Sequence, residues 1–384
     1  MNKPAMQSLG EIEAARLEDW LRDRYFQARM DISSSGMTNY SMGELRRLLG
    51  IDDSELDSIV FRDSPSLGSD LLRAAIAARY AGGEAHRIMV SHGSTEAIFL
   101  AFAALVRPGD EIIALAPAYQ SLTATAASLG AVLIPWRLHA SNNFRPDLAE
   151  LQGLITPRTR IVVVNFPHNP TGVTISSADF AELLRTIDAT ECRLFWDGAF
   201  SDIQYIDDHA PLALPRHPAV VSFGTLSKAY GLPGIRVGWC IGAPDLLNQM
   251  VRIRDYTTLN TSPLNEHLAE RVLASADKVL APLLRAARRN REIVADWAAQ
   301  HPDLFSLPLP DGGVCAFPQV KGATNNTAAC DLLLRERGVL VVPGDCFGHP
   351  DRLRLGFGGD SAELRGGLSH LADVMAGLRD RGAL

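Results

Sequence analysis

The chain has 384 residues, with 44 acidic against 37 basic side chains and a net charge of −7. At roughly 100 to 200 residues per domain this length implies two domains, and the acidic balance argues against nucleic-acid binding, which ordinarily shows a basic domain. Five cysteines, Cys192, Cys240, Cys315, Cys330 and Cys346, are odd in number and lack CxxC spacing, so they read as reduced thiols of a cytoplasmic protein and not as a disulfide framework or metal site. The opening MNKPAMQSLGEIEAARLEDW lacks the apolar core of a signal peptide, and no later run reaches the ~20 apolar residues of a membrane span.

From about Ser66 the signals alternate. A helix is expected at 71–82, a strand at 87–93, a helix at 94–106, a strand at 110–117, a helix at 119–130 and a strand at 131–138. Further strands are expected at 160–167, 192–199, 219–225 and 236–242, with a helix at 177–188 among them. Such alternation predicts an α/β fold with a mostly parallel, doubly covered sheet of seven strands. A long helical stretch at about 263–300 follows, then short strands near 313–320, 338–344 and 352–357. The expected division is an N-terminal segment 1–45 packing with the small domain, a large domain 46–260 and a smaller α/β C-terminal domain 261–384.

Chemistry concentrates in 222–239, SFGTLSKAYGLPGIRVGW. Lys228 can condense with an aldehyde, while Thr225, Ser227 and Arg236 offer hydroxyl and guanidinium donors suited to a phosphate dianion. In WDGAF at 196–200, Asp197 follows an apolar strand and supplies the carboxylate that a protonated pyridine nitrogen needs. Together these residues describe a pyridoxal 5′-phosphate (PLP) pocket. Taken singly, each has a plainer explanation: a solvated loop for the lysine, a strand-end turn or helix cap for the aspartate. Asn169, Asp197 and Lys228 all fall at or just beyond strand ends, the edge at which open α/β sheets bind ligands.

The succession Asn169, Asp197, Lys228, Arg236 resembles that of fold-type I PLP enzymes, the aspartate aminotransferase superfamily. That resemblance implies an anion cradle at Gly93, Ser94 and Thr95, although a plain N-cap is equally consistent with those residues. It also implies an aromatic ring against the cofactor at Tyr119, a hydrogen bond from Asn169 to the cofactor, and a bidentate grip on the substrate α-carboxylate by Arg354. Gly36, in the SSSG run at 33–36, falls in a segment expected to be mobile and to close over substrate. Two departures stand out. Phe200 replaces a tyrosine common three residues after the aspartate, and Asp63 lies near the place of a tyrosine that reaches the neighbouring subunit's phosphate.

Several segments, LEDWLRDRYFQARMDISSSG, FRDSPSLG, DGAFSDI and VRIRDY among them, are similar to the capreomycidine synthase family of antibiotic pathways, including its streptothricin counterparts. This implies a PLP-dependent hydro-lyase and cyclase acting on 3-hydroxyarginine or 3,4-dihydroxyarginine, as a homodimer without nucleic acid, membrane or metal. An L-amino-acid aminotransferase is the alternative, and a non-catalytic PLP-fold module is a third reading, opposed by the retention of Lys228. For the groups that hold the guanidinium or protonate the leaving hydroxyl, Asp31, Asp63, Asp202, His92 and His168 are the candidates.

Overall fold

The computed structural model describes residues 12–383. Seven strands form one sheet, in the spatial order Ile88–Ser91, Gly238–Ile241, Val220–Thr225, Arg193–Asp197, Thr159–Asn165, Glu111–Ala116 and Val132–Arg137. All are parallel except Gly238–Ile241, which runs antiparallel to both neighbours. The two-residue period of a strand assigns its faces. Ile112, Ala114, Ile161, Val163, Phe195, Val221 and Phe223 share a core with helices Gly93–Leu105 and Pro244–Arg254. Ile113, Leu115, Val162, Val164, Leu194 and Trp196 join the larger core on the other side. Both faces are therefore covered, and the strands read as apolar runs for that reason.

Serine side chains cap two of the helix starts. Ser69 accepts from the Leu72 N–H at the start of Asp70–Tyr80, and Ser176 accepts from the Asp179 N–H at the start of Ser177–Asp188. One expectation needs correction. In place of one helix over 119–130 there is a single turn, Gln120–Leu122, and a short helix, Ala124–Ser128. The Thr123 hydroxyl donates to the Gln120 carbonyl, the local competition by which Ser and Thr interrupt helices. The stretch expected at 263–300 is two helices, Pro263–Ala274 and Ala276–Gln300, broken at Ser275.

Beyond these helices, Cys315–Ala316, Leu353–Gly356 and Val342–Pro343 form a small antiparallel sheet, flanked by Thr327–Arg337 and Ser361–Asp380. The N-terminal segment leans on this part. Met30–Asp31 pairs with Val339–Leu340, and the Trp20 indole donates to the Val341 carbonyl at 2.9 Å. All five cysteines are buried and free. Among the described residues no helix is long and apolar enough to cross a membrane, and no group of side chains is arranged to hold a metal ion.

Candidate active site

At the carboxyl ends of the parallel strands, where this sheet meets the small one, a cavity of about 390 Å³ opens. Lys228, Asp197, Asn169, Tyr119, Thr225, Ser227, Arg236, Arg354 and the 93–95 turn all line it. Strand register brings the floor together. Asn165 and Asp197 are partners on neighbouring parallel strands, and the Asn165 amide donates to the Asp197 carboxylate at 3.2 Å. Asn165 also accepts, through Oδ1, from the Asn169 N–H at 2.9 Å, so one side chain fixes both neighbours. Its place in the NFP run was the only sequence signal for it.

Asp197 accepts a second hydrogen bond from the Ala199 N–H at 3.1 Å and has no cation bonded to it. Burial pushes its carboxyl up to about 6, against the opposing pull of that N–H and the charge of Lys228. A buried carboxylate of this kind suits the N–H of a protonated pyridine. Lys228 donates to the Ser35 hydroxyl at 2.9 Å. Burial, followed by the positive charge of Arg354, lowers its pKa. Tyr119 stands between the floor and the rim, and its phenol donates to Glu18 at 2.9 Å.

The anion end begins at helix Gly93–Leu105, whose first N–H groups have no partner within the helix. Gly93 has φ +77°, and any side chain there would meet Arg236 Nη2 at 2.6 Å. Arg236 itself is left-handed at φ 52°, a conformation that costs a non-glycine residue about 1 kcal/mol or more. Its guanidinium reaches the His92 carbonyl at 3.4 Å and the Ser227 hydroxyl at 3.5 Å, and Ser227 in turn accepts from Thr225 at 2.9 Å. Backbone N–H groups, two hydroxyls and an exposed guanidinium compose a donor set that fits a phosphate. Since the Asp197 end also fits a pyridine, the two ends match PLP.

Opposite lies Arg354, 1 % exposed, with Nη2 donating to the Ser33 carbonyl at 2.8 Å and Nη1 to Asn169 at 3.4 Å. Its buried Nε has no partner. An unsatisfied, buried guanidinium N–H calls for an acceptor, and a carboxylate meets that need.

The other candidates fall elsewhere. Gly36 is beside the cavity, not among its lining residues, and its N–H meets the Ser34 hydroxyl at 3.2 Å; Ser33, Ser34 and Ser35 form the wall instead. Nor is 33–36 a free flap, since the Gly356 N–H donates to the Ile32 carbonyl and the Thr38 N–H to the Gly358 carbonyl on either side of it. Asp31 is engaged by the Ser33 N–H and hydroxyl, and Asp202 by Arg79 and Tyr80 behind the site. Asp63 lines a separate groove. His168 is buried between Thr171 and the Pro117 carbonyl, with burial lowering its pKa to about 4, and His92 bonds to Glu96. None of these five lines the cavity. Phe200 does line it, its ring 5.9 Å from the Lys228 amine. Glu18, in helix Arg16–Arg24, also does, although nothing in its sequence context singles it out.

Sheet order and site together define a fold-type I PLP enzyme. The chain belongs to the family aminotransferase class I and II, whose model matches residues 55–371, and PLP is its cofactor. It is 51% identical to capreomycidine synthase of Streptomyces vinaceus, over 95% of this chain and 94% of that one. The arginine–pyruvate transaminase of Pseudomonas aeruginosa is 28% identical, over 84% of this chain and 87% of its own. Among solved structures, that of the PLP-dependent cyclase OrfR superposes with a TM-score of 0.89 at 39% identity, covering 96% of this chain and 98% of the other.

Proposed function

We propose that the protein is a dehydrating cyclase that converts a β-hydroxylated L-arginine into a capreomycidine-type cyclic guanidine amino acid. The β-hydroxyl leaves, a guanidine nitrogen bonds to the same carbon, and the net loss is one water. The carrying observation is the 51% identity to capreomycidine synthase over 95% of the chain, supported by the resemblance to OrfR. Gly93, Ser94, Thr95, Thr225, Ser227 and Arg236 hold the phosphate, and Tyr119 and Asn169 hold the ring. When bound, PLP supplies an electron sink for negative charge at the substrate α-carbon. Asp197 keeps a proton on the ring nitrogen. Arg354 and Asn169, beside Gly36, orient the α-carboxylate. Lys228 removes the α-proton and later returns it, a task served by the lowered pKa of its amine.

The division into 1–45, 46–260 and 261–384 belongs to this reading, with residues 1–11 and 384 outside the described part. So does a homodimer: Val60, Phe61, Leu71 and Tyr256 are exposed, and Val60 and Leu71 line the groove that contains Asp63. Large exposed apolar patches mark association surfaces.

The test is mass spectrometry of the product formed from 3-hydroxyarginine, and separately from 3,4-dihydroxyarginine, by the PLP-loaded protein without any oxo acid. Catalytic loss of one water with the amine retained is expected, and the better substrate is thereby identified. Stoichiometric amination of the cofactor with release of a keto acid would make the protein an aminotransferase instead.

A further inference from the structure

We propose that Glu18 receives the guanidinium of the substrate, which makes helix Arg16–Arg24 the specificity element of the site; the assignment rests on the arginine-type substrate proposed above. The charged side chains that line the cavity are Glu18, Asp197, Lys228, Arg236 and Arg354. Three are cations. Asp197 lies on the floor, buried and held by Asn165 and the Ala199 N–H, where the pyridine nitrogen would engage it. A substrate with its α-carboxylate on Arg354 and its α-carbon before Lys228 then has one carboxylate left, among the described lining residues, for its cationic end.

Local structure aims that carboxylate. Glu18, Leu21 and Tyr25 follow at i, i+3 and i+7, a single face of the chain as it leaves the helix, and all three line the cavity. Trp20 is buried on the holding side, bonded to the Val341 carbonyl, and Arg24 pairs with Asp331 at 2.9 Å. On the opposite flank the Arg16 N–H donates to Gln120. The helix is thus tied on one side to Asp331 and Val341 and on the other to Gln120, the neighbour of Tyr119. Tyr119 donates to Glu18 Oε1, leaving Oε2 for another donor, and the planar guanidinium is built to pair with a carboxylate. Leu21 offers an apolar surface for the methylene chain in between. Glu18 is exposed at the rim, so it is free to meet an incoming cation, and its charge acts on the Lys228 amine across the cavity.

The test compares equilibrium binding of arginine and citrulline to the PLP-loaded protein, followed by visible absorbance. Citrulline has the same length but an uncharged urea. The wild type is expected to favour arginine, and Glu18→Gln should lower arginine affinity by about 10- to 100-fold while changing that of citrulline by less than about threefold. Glu18→Asp should recover part of the preference. An arginine-to-citrulline ratio left unchanged by Glu18→Gln overturns the assignment, as does a wild type without that preference. Equal loss of both ligands, accompanied by lower PLP content, would mark a structural role and also overturn it. A wild type that favours arginine but releases no water from 3-hydroxyarginine would defeat the cyclase reading alone, with the guanidinium subsite intact.

Discussion

At the inner end of the cavity, Asp197, Asn165 and Asn169 stand on strand ends or just past them, buried and bonded to one another. At the outer end, Glu18 stands on a nine-residue helix, exposed, with one hydrogen bond to Tyr119. The inner groups are held by strand register, which cannot shift by one residue without turning every side chain to the opposite face. The outer group is held by the docking of a single helix. Chemistry that must stay constant is thus built into the sheet, and selection of the substrate is carried by an element that can vary without disturbing the core.

The strongest way to break this contrast is at Lys228. Lys228→Ala should reduce water loss from hydroxyarginine by about 10³-fold or more, and borohydride should no longer fix the cofactor to the chain, as read by intact mass. Fixation persisting in the variant would move the reactive amine elsewhere. Less drastic is Asp197→Asn in cofactor-free protein. Because burial lifts the Asp197 carboxyl to about 6, the folded protein keeps a proton that the unfolded chain loses near pH 4. Its stabilising contribution is full below roughly pH 4 and is lost as the pH rises through 6. Asparagine removes that dependence, so the variant should gain up to roughly 3 kcal/mol relative to wild type between pH 4 and pH 7. Denaturant midpoints with the same pH dependence in both proteins would refute this. The smallest effect is expected from Phe200→Tyr, which supplies a hydroxyl beside the Lys228 amine. A donor to the deprotonated chromophore favours that form, so the midpoint of the visible absorbance titration should fall by roughly one unit; an unmoved midpoint would show that the new hydroxyl does not reach.

Asp197 and Lys228 were legible in the sequence because each stands in a short motif at a strand end, and topology alone carries strand ends to one edge. The seven strands were legible as apolar runs for a related reason: both faces of the sheet are covered. Glu18 was not legible. An acid on an amphipathic helix looks like any solvated face, and its partner Tyr119 lies 101 residues away. His168 is the opposite case: a histidine beside a motif is more often structural than catalytic, and the His168 ring bonds to the Pro117 carbonyl and does not line the cavity. The 119–130 stretch failed at Thr123, whose hydroxyl bond to the backbone leaves no trace in hydrophobic spacing.

Ser33 and Ser35 acquire a further meaning from their two partners. The carbonyl of the first is bonded to Arg354 and the hydroxyl of the second to Lys228. The peptide between them is a ruler joining the group proposed to grip the α-carboxylate to the amine that must reach the neighbouring carbon. One inserted residue would lengthen an extended ruler by roughly 3.5 Å, several times the tolerance of a hydrogen bond. Gly356 and Gly358 press against the carbonyls of Ser34 and Gly36, where any Cβ would collide, so the extra length has no room to bulge. Relatives that keep the same chemistry should therefore tolerate changes of residue in this stretch far better than changes in its length.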